Sequence, residues 1–380
     1  MIYLDNNATT QALPEVVEAM LPFLRDEYAN PSSVHRFGQQ IRHRVECARE
    51  QVAQLLHAAP KDIVFTSGGT ESINLAIRGG LVARPGRTRL LTTAVEHSAV
   101  LRVMEDLASS GYILDIVGVD SAGRIDLAEW TAKLTDETAL ASVMFANNET
   151  GVLFDVEKLA SAAAERGVPL HVDAVQAAGK VAVDVDAIPA DFISLSAHKF
   201  HGPKGVGALY VRRRSRLHPQ IVGGSQEREL RGGTENVPGI VGMGVAAKQA
   251  VAHLSDVAAD IGALRDRLEA GIQEHMRDVL VNGAGSPRIA NTTNISFPGL
   301  QAEAILIVLS EAGICASAGS ACSSGSLEPS HVLKAMGIDE KVAHGAIRFS
   351  LSRYNTAAEI DDVVARMPDL LRPLRSLVQR

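Results

Sequence analysis

The predicted fold rests first on residues 156–173, which read VEKLASAAAERGVPLHVD. Apolar residues recur at helical spacing over residues 156–166, and Gly167 is of the type that commonly ends a helix. The short apolar run that follows, residues 170–173, predicts a strand. A helix that leads within a few residues into a buried strand is typical of a sheet covered by helices.

The same alternation of short β-rich runs and helical patterns extends from about residue 60 to residue 212. It predicts further strands at residues 62–66, 89–93, 112–117, 140–146, 191–196 and 206–212, and helices at 72–78 and 99–109. This pattern indicates a doubly wound α/β domain with a mostly parallel sheet.

A second region follows the glycine-rich segment 223–233. One long helix is predicted over residues 239–276, and then a smaller α+β unit with strands at 293–297 and 347–351 and helices at 303–311 and 357–367. We predict a large domain of residues 13–257 and a small domain of residues 1–12 and 258–380, which carries a loop at about 316–330.

Composition excludes several classes of protein. The 380 residues carry 37 Lys and Arg against 44 Asp and Glu, a net charge of −7, with no basic block that suits nucleic-acid phosphates. No apolar run approaches the roughly 20 residues that span a membrane. The three cysteines, Cys47, Cys315 and Cys322, match no metal or redox spacing. We expect a cytoplasmic protein without a metal site that binds neither nucleic acid nor membranes.

Polar clusters follow several predicted strands, at the sheet edge where open α/β sheets bind ligands. Residues 67–72, SGGTES, open a helix whose N-terminus favours a phosphate, although a tight turn capped by Thr70 is an equally good interpretation. Asp173 ends a strand, where its carboxylate suits the protonated ring nitrogen of pyridoxal 5′-phosphate (PLP). A lone aspartate more often caps the next helix.

A third cluster, residues 194–205, reads SLSAHKFHGPKG. A loop lysine is ordinarily a solvated charge. Here Ser196 and His198 can donate to a phosphate, while a partly desolvated Lys199 can form a Schiff base with an aldehyde. Lys204 is the rival amine, but its Pro-Lys-Gly turn points to a structural role.

His97 and Asn148 follow two more strands. The histidine suits stacking on a flat cofactor or proton transfer, and the asparagine suits a hydrogen bond to a ring or substrate. Each alone is more often a cap. Four such clusters at successive strand ends together favour one phosphorylated cofactor.

Two further residues complete the candidates. Arg348 alternates with apolar neighbours in a predicted strand, where a guanidinium can clamp a carboxylate, although simple solvent exposure is the ordinary alternative. Cys322 lies among small residues only, so we expect an accessible thiol in a mobile loop. Cys47 and Cys315 suit plain packing.

Nine segments together resemble the NifS/IscS cysteine desulfurases. They are YLDNNATT (3–10), NPSSVH (30–35), TSGGTE (66–71), EH (96–97), NNETG (147–151), HVDAVQ (171–176), AHK (197–199), RGGTEN (231–236) and GSACSSGSLEPS (319–330). The resemblance spans residues 1 to about 360 in the family's order. The segments SLEPSH (326–331) and HGAIRFSLSRY (344–354) look most like the nitrogen-fixation (NifS) branch.

The resemblance implies a fold-type I PLP-dependent transferase that forms a homodimer with active sites at the interface. It makes Lys199 the Schiff-base lysine, Asp173 the partner of the ring nitrogen and Gln176 the partner of the ring phenolate oxygen. The remaining cofactor-binding residues would be Gly69, and the phosphate-holding Thr70, Ser196, His198 and, from the other subunit, Thr234.

The resemblance also assigns the substrate side of the site. His97 would stack on the ring and shuttle protons, Asn148 would contact cofactor and substrate, and Arg348 would grip the substrate carboxylate. Cys322 would accept the sulfur.

The implied reaction converts L-cysteine to L-alanine and leaves a persulfide on Cys322. An iron–sulfur cluster scaffold protein is the implied sulfur acceptor, and the likeness to the NifS branch alone points to one that serves nitrogenase. The alternatives are another fold-type I PLP enzyme, either an aminotransferase, which would leave Cys322 idle, or a selenocysteine lyase, whose acceptor cysteine is more fixed.

Overall fold

The computed structural model describes residues 1–276, 278–318 and 329–378. Its strands are β1 (Ile2–Tyr3), β2 (Ile63–Thr66), β3 (Arg89–Thr93), β4 (Ile113–Val117), β5 (Thr138–Met144), β6 (Leu170–Asp173), β7 (Phe192–Ser196), β8 (Gly207–Val211), β9 (Leu280–Val281), β10 (Thr292–Ser296), β11 (Ile314–Cys315) and β12 (Ala346–Ser350). The predicted strands differ from these bounds by a residue or two at their ends.

Helices are interspersed with the strands along the chain. They are α1 (Pro14–Arg25), α2 (Arg36–Leu55), α3 (Gly69–Gly80), α4 (Ser98–Ser109), α5 (Leu127–Lys133), α6 (Val156–Glu165), α7 (Val237–Ala252), α8 (Leu254–Asp256), α9 (Gly262–His275), α10 (Ala302–Glu311), α11 (His331–Ala335), α12 (Glu340–Ala343) and α13 (Ala357–Val378).

The main sheet is mostly parallel. In the described part of the chain it has seven strands in the order β2-β8-β7-β6-β5-β3-β4. Strand β8 runs antiparallel to both neighbours, and the other pairs are parallel. The predicted α/β class is confirmed. Strands β2, β3, β5, β6 and β7 therefore end at one edge of the sheet, which is where the predicted clusters lie.

Two smaller sheets are formed by the N-terminal strand β1 and by the strands of the last third of the chain. Strand β10 pairs antiparallel with β12 and β9, and β1 pairs in parallel with β11, so the N-terminal residues join the last third of the chain. A separate core of buried apolar residues includes Leu4, Ile305 and Phe349, whereas Trp130 lies in the core beside the main sheet. The exact domain boundaries stay a prediction.

The helix predicted over residues 239–276 is wrong as a single element. Helix α7 ends at Ala252, and α9 begins only at Gly262, after the short α8 and a π-helical turn at Val257–Ile261. The predicted domain boundary near residue 258 lies in this turn.

The helix is broken between α7 and α9 because the two helices pack against different partners, as the contacts of one glycine in each helix show. A Cβ at Gly244 of α7 would lie 2.7 Å from the Ala48 Cα of α2, so the two helices lie in close contact. A Cβ at Gly271 of α9 would lie 2.7 Å from a Val364 side-chain atom of α13. The chain changes direction because its two halves pack on different partners.

The last helix is longer than its predicted range of 357–367. It continues through Pro368 and Pro373 to Val378. Met367 and Leu371 are both fully buried, so the apolar face that packs on the core continues past the first proline. Within the described ranges no helix has the length and apolar content for crossing a membrane.

Candidate active site

A cavity of about 380 Å³ lies at the carboxyl edge of the main sheet. This volume is in the range of ~300–1,000 Å³ usual for small-molecule sites. Ten of the predicted site residues line it: Gly69, Thr70, His97, Asn148, Asp173, Gln176, Ser196, His198, Lys199 and Arg348. The structure thus brings together residues from five strand ends and from β12.

One end of the cavity is formed by the N-terminus of α3. The helix begins at Gly69, directly after Gly68, whose φ of 155° is rare for residues with a side chain. Thr70 therefore lies inside the helix, and its interpretation as the cap is wrong. Glu71 accepts from the Ser67 backbone N–H and pairs with Arg231 at 2.9 Å, which holds the turn in place. The first-turn N–H groups and the helix dipole favour an anion here.

Asp173 lies at the end of β6. Its Oδ1 accepts the Val175 backbone N–H at 2.9 Å, so it caps the following turn while its side chain lines the cavity. Burial raises the pKa of this carboxyl to about 6. A cationic ring nitrogen beside it would favour the ionised form.

His97 is both a cap and a cavity residue. Its Nδ1 accepts the Ala99 backbone N–H at 3.1 Å at the start of α4. Burial, together with the nearby Lys199, lowers the pKa of His97 to about 4. The imidazole is therefore neutral near pH 7 and carries its proton on Nε2.

Lys199 lies in the turn after β7, above the N-terminal segment. Its Nζ donates to the backbone oxygens of Asn7 at 2.6 Å and Ala8 at 2.9 Å. Ser196 and His198, on either side, also line the cavity, and burial lowers the pKa of His198 to about 4. The rival amine, Lys204, does not line this cavity.

Arg348 reaches the opposite side of the cavity from β12. Its guanidinium donates to Asp5 Oδ1 at 2.8 Å and to the Asn148 backbone oxygen at 3.0 Å. The side chain is buried, so its interpretation as a solvent-exposed charge is wrong. Its Nε is buried and lacks a hydrogen-bond partner among the described residues. The residue itself lines the cavity, where a guanidinium can bind a ligand carboxylate.

Two predicted residues stand apart from this set. Thr234 is exposed and does not line the cavity of this single chain, so its contribution from another subunit stays a prediction. Cys322 lies outside the described residues, so the predicted mobility of its loop stays a prediction. Cys47 and Cys315 are half-buried.

Three residues at the site were missed by sequence reasoning. Asn7 lines the cavity, Asp5 pairs with Arg348, and the buried Lys180 donates to Asn7 and Gln176. The segment YLDNNATT contains Asp5 and Asn7, but in the sequence it indicates only the resemblance to the family and gives no role for either residue. Lys180, four residues after Gln176, gave the signal of a charged residue within an otherwise apolar stretch.

The donor set fits PLP. A helix N-terminus suits its phosphate, the Asp173 carboxylate suits a protonated ring nitrogen, and the Lys199 amine suits its aldehyde. Arg348 lines the same cavity, and its guanidinium suits a substrate carboxylate.

Fold and site together define an α/β enzyme of fold type I, the fold of PLP-dependent transferases. The model for aminotransferase class-V proteins matches residues 2–363. The chain belongs to this family.

Curated relatives agree over almost the whole chain. A cysteine desulfurase of Nostoc sp. is 52% identical over 377 residues, which cover 99% of this chain and 94% of the relative. The cysteine desulfurase NifS of Azotobacter vinelandii is 49% identical with the same coverage.

Solved structures give the same result. A NifS-like protein superposes with a TM-score of 0.91 at 39% identity and covers 98% of this chain and 100% of its own. The structure of SspA in complex with cysteine superposes with a TM-score of 0.83 at 35% identity and covers 94% of this chain and 100% of its own. The predicted family and fold class are confirmed.

Proposed function

We propose that this chain is a PLP-dependent cysteine desulfurase that converts L-cysteine to L-alanine. The observation that carries the proposal is one cavity lined by the Lys199 amine, the Asp173 carboxylate and the Arg348 guanidinium. The activity predicted from sequence is confirmed by relatives that are named cysteine desulfurase and are about 50% identical over nearly the full chain.

The chain's own residues divide the work around the cofactor. When bound, PLP supplies an electron sink for the bond electrons released at the substrate's α-carbon. Asp173 holds the proton on the ring nitrogen, and Lys199 binds the aldehyde carbon and later takes the α-proton. Arg348, which lines the cavity and is held by Asp5 and the Asn148 backbone oxygen, binds the substrate carboxylate.

The remaining cavity residues bind and move protons. Gly69, Thr70, Ser196 and His198 are proposed to hold the phosphate, and Gln176 to meet the ring oxygen. His97 is proposed to stack on the ring and, since it is neutral, to move a proton at Nε2 between the reacting sulfur atoms and the substrate.

Cys322 is proposed to receive the sulfur. Its thiolate attacks the substrate sulfur, the carbon–sulfur bond breaks, and L-cysteine plus the enzyme thiol give L-alanine plus an enzyme persulfide. No external oxidant is required, because the electrons of the broken carbon–sulfur bond stay on the substrate carbon, which takes a proton and becomes the methyl group of L-alanine. We further propose transfer to an iron–sulfur scaffold protein, with nitrogenase cluster assembly as the specific pathway.

The quaternary and domain organisation is also proposed. A homodimer in the cytoplasm would let Thr234, which is exposed in this chain, reach the phosphate of its partner subunit. The separate apolar core that joins Leu4 to Phe349 supports a small domain of residues 1–12 and 258–380 beside a large domain of residues 13–257.

The test measures L-alanine formed from L-cysteine with a thiol reductant present. The wild-type protein should show an absorbance band of bound PLP at the edge of the visible range, and this band should disappear in Lys199→Ala. Cys322→Ser should keep the band and lose alanine formation, whereas the matched controls Cys47→Ser and Cys315→Ser should keep both. Undiminished alanine formation by Cys322→Ser would contradict the proposal and favour another PLP enzyme.

A further inference from the structure

Lys180 is a buried amine that the proposed chemistry does not use. Its side chain lies behind the cavity, and the residue is only 7% exposed. The Nζ donates to Gln176 Oε1 at 2.6 Å and to Asn7 Oδ1 at 3.1 Å. Both of these acceptors are neutral amide oxygens. Burial of an amine is costly when no carboxylate pairs with it, and none of the described carboxylates pairs with Lys180, so we expect a specific role of this residue in the neighbouring contacts.

The contact determines how the Gln176 amide is oriented. A side-chain amide can rotate to exchange its oxygen and nitrogen, and only its hydrogen-bond partners decide between the two orientations. A lysine Nζ that donates at 2.6 Å requires the oxygen on its side. The Gln176 Nε2 consequently points away from Lys180 and donates to the Asn7 backbone oxygen at 2.9 Å, and the residue lines the cavity.

The same amine orients the segment beneath Lys199. Asn7 Oδ1 accepts from Lys180, and its Nδ2 donates to the Asn148 backbone oxygen at 3.1 Å and to Thr292 Oγ1 at 2.8 Å. The Asn7 backbone oxygen accepts from Lys199 Nζ. Lys180 therefore holds Gln176 and also Asn7, whose backbone oxygen accepts from the cofactor-binding lysine.

We propose that Lys180 is a positioning residue for the cofactor: it fixes the orientation of the Gln176 amide so that the second N–H of Nε2 meets the ring oxygen of PLP. The inference rests on the proposed function, since it specifies how that site recognises PLP. It assigns to Lys180 a role exerted through Gln176, without contact to the reacting atoms.

This role does not depend on the charge of Lys180. Burial lowers its pKa well below the ordinary value, and the nearby Lys199 and Arg348 lower it further. A neutral amine retains two N–H groups, which match the two acceptors. The other titratable or charged groups near Lys180 are His198, His201 and Arg353.

The experiment measures PLP binding to the apoprotein and the absorbance of the bound cofactor against pH. Lys180→Met removes the donor, and we expect roughly tenfold weaker PLP binding, the size of one hydrogen bond. The apparent pKa of the bound cofactor should also shift upward, because a less constrained Gln176 stabilises the ring oxyanion less. Lys180→Gln keeps an N–H donor without the ammonium and should restore most of both values.

A double-mutant cycle separates this role from a structural one. Gln176→Leu should weaken PLP binding alone, and adding Lys180→Met should cost little more, because both changes remove the same interaction. Lys180→Ala replaces Lys180→Met in the cycle if the methionine variant does not fold.

Three results would overturn the inference: unchanged PLP affinity in Lys180→Met, equal losses in Lys180→Gln and Lys180→Met, or fully additive losses in the cycle. Failure of the proposed function gives a different result, since wild type would then bind no PLP and show no absorbance band.

Discussion

Replacement of Arg348 by lysine tests the substrate side of the site. The guanidinium uses separate terminal nitrogens for Asp5, at 2.8 Å, and for the Asn148 backbone oxygen, at 3.0 Å, and each of these nitrogens has a second N–H for a ligand. A lysine has one nitrogen for all three, and Asp5 lies nearest as its counter-ion. The variant therefore loses at least one charge-assisted hydrogen bond to the substrate carboxylate.

The magnitude follows from that single bond. A hydrogen bond to a charged group contributes about 1.5–3 kcal/mol. At 1.4 kcal/mol for each factor of ten, L-cysteine binding should weaken by roughly 10- to 150-fold.

The assay compares two ligands that differ by the carboxylate. Binding of L-cysteine and of cysteamine is followed through the absorbance of the bound cofactor, and KM and kcat are measured for L-cysteine. Arg348→Lys should lose affinity for L-cysteine and little for cysteamine. Arg353→Lys, on a residue that does not line the cavity, is the matched control. Equal losses for both ligands would refute the assignment of Arg348 to the carboxylate.

Two further predictions concern buried charges. Glu96 is fully buried, its Oε2 lacks a hydrogen-bond partner among the described residues, and burial raises its pKa to about 8. The folded chain keeps this proton between about pH 4.5 and 8 while the unfolded chain loses it, so the free energy of unfolding falls as pH rises through that window. Glu96→Gln should flatten this slope in denaturant titrations from pH 5 to 8; equal slopes would contradict the reasoning. Arg49 binds both carboxylate oxygens of Glu227, at 2.7 and 2.8 Å, in a buried pair. Arg49→Met should cost about 3–5 kcal/mol of unfolding free energy by leaving that carboxylate unpaired, and Arg49→Met with Glu227→Leu should recover much of it. The exposed control Arg102→Met should cost less than about 1 kcal/mol, and a similar loss for both would count against the buried pair.

The sequence predicted those parts of the site that depend on local order. Thr70, His97, Asn148, Asp173 and Lys199 each lie at or just after a strand end, and parallel strands bring such positions to one edge. The short apolar runs also placed the strands of the main sheet. In several cases the ordinary interpretation and the functional one are both correct, since His97 caps α4 and lines the cavity.

The missed features depend on contacts between distant parts of the chain. Asp5 reaches Arg348, and the Asn6 backbone N–H donates to the Ser350 oxygen, through pairings that no local pattern encodes. The break between α7 and α9 likewise depends on which helices each one contacts. Lys180 was missed because a single lysine in a sequence is ordinarily an exposed charge.

The position of the N-terminal segment has a consequence for biosynthesis. Residues that are synthesised before the main sheet bind residues that are synthesised after it: Leu4 bonds to Cys315, and Asn7 bonds to Ser350. Asn7 also supplies the oxygen that accepts from Lys199. A nascent chain that has completed the main sheet therefore still lacks part of its active site, and cofactor binding in its final form awaits the synthesis of β12.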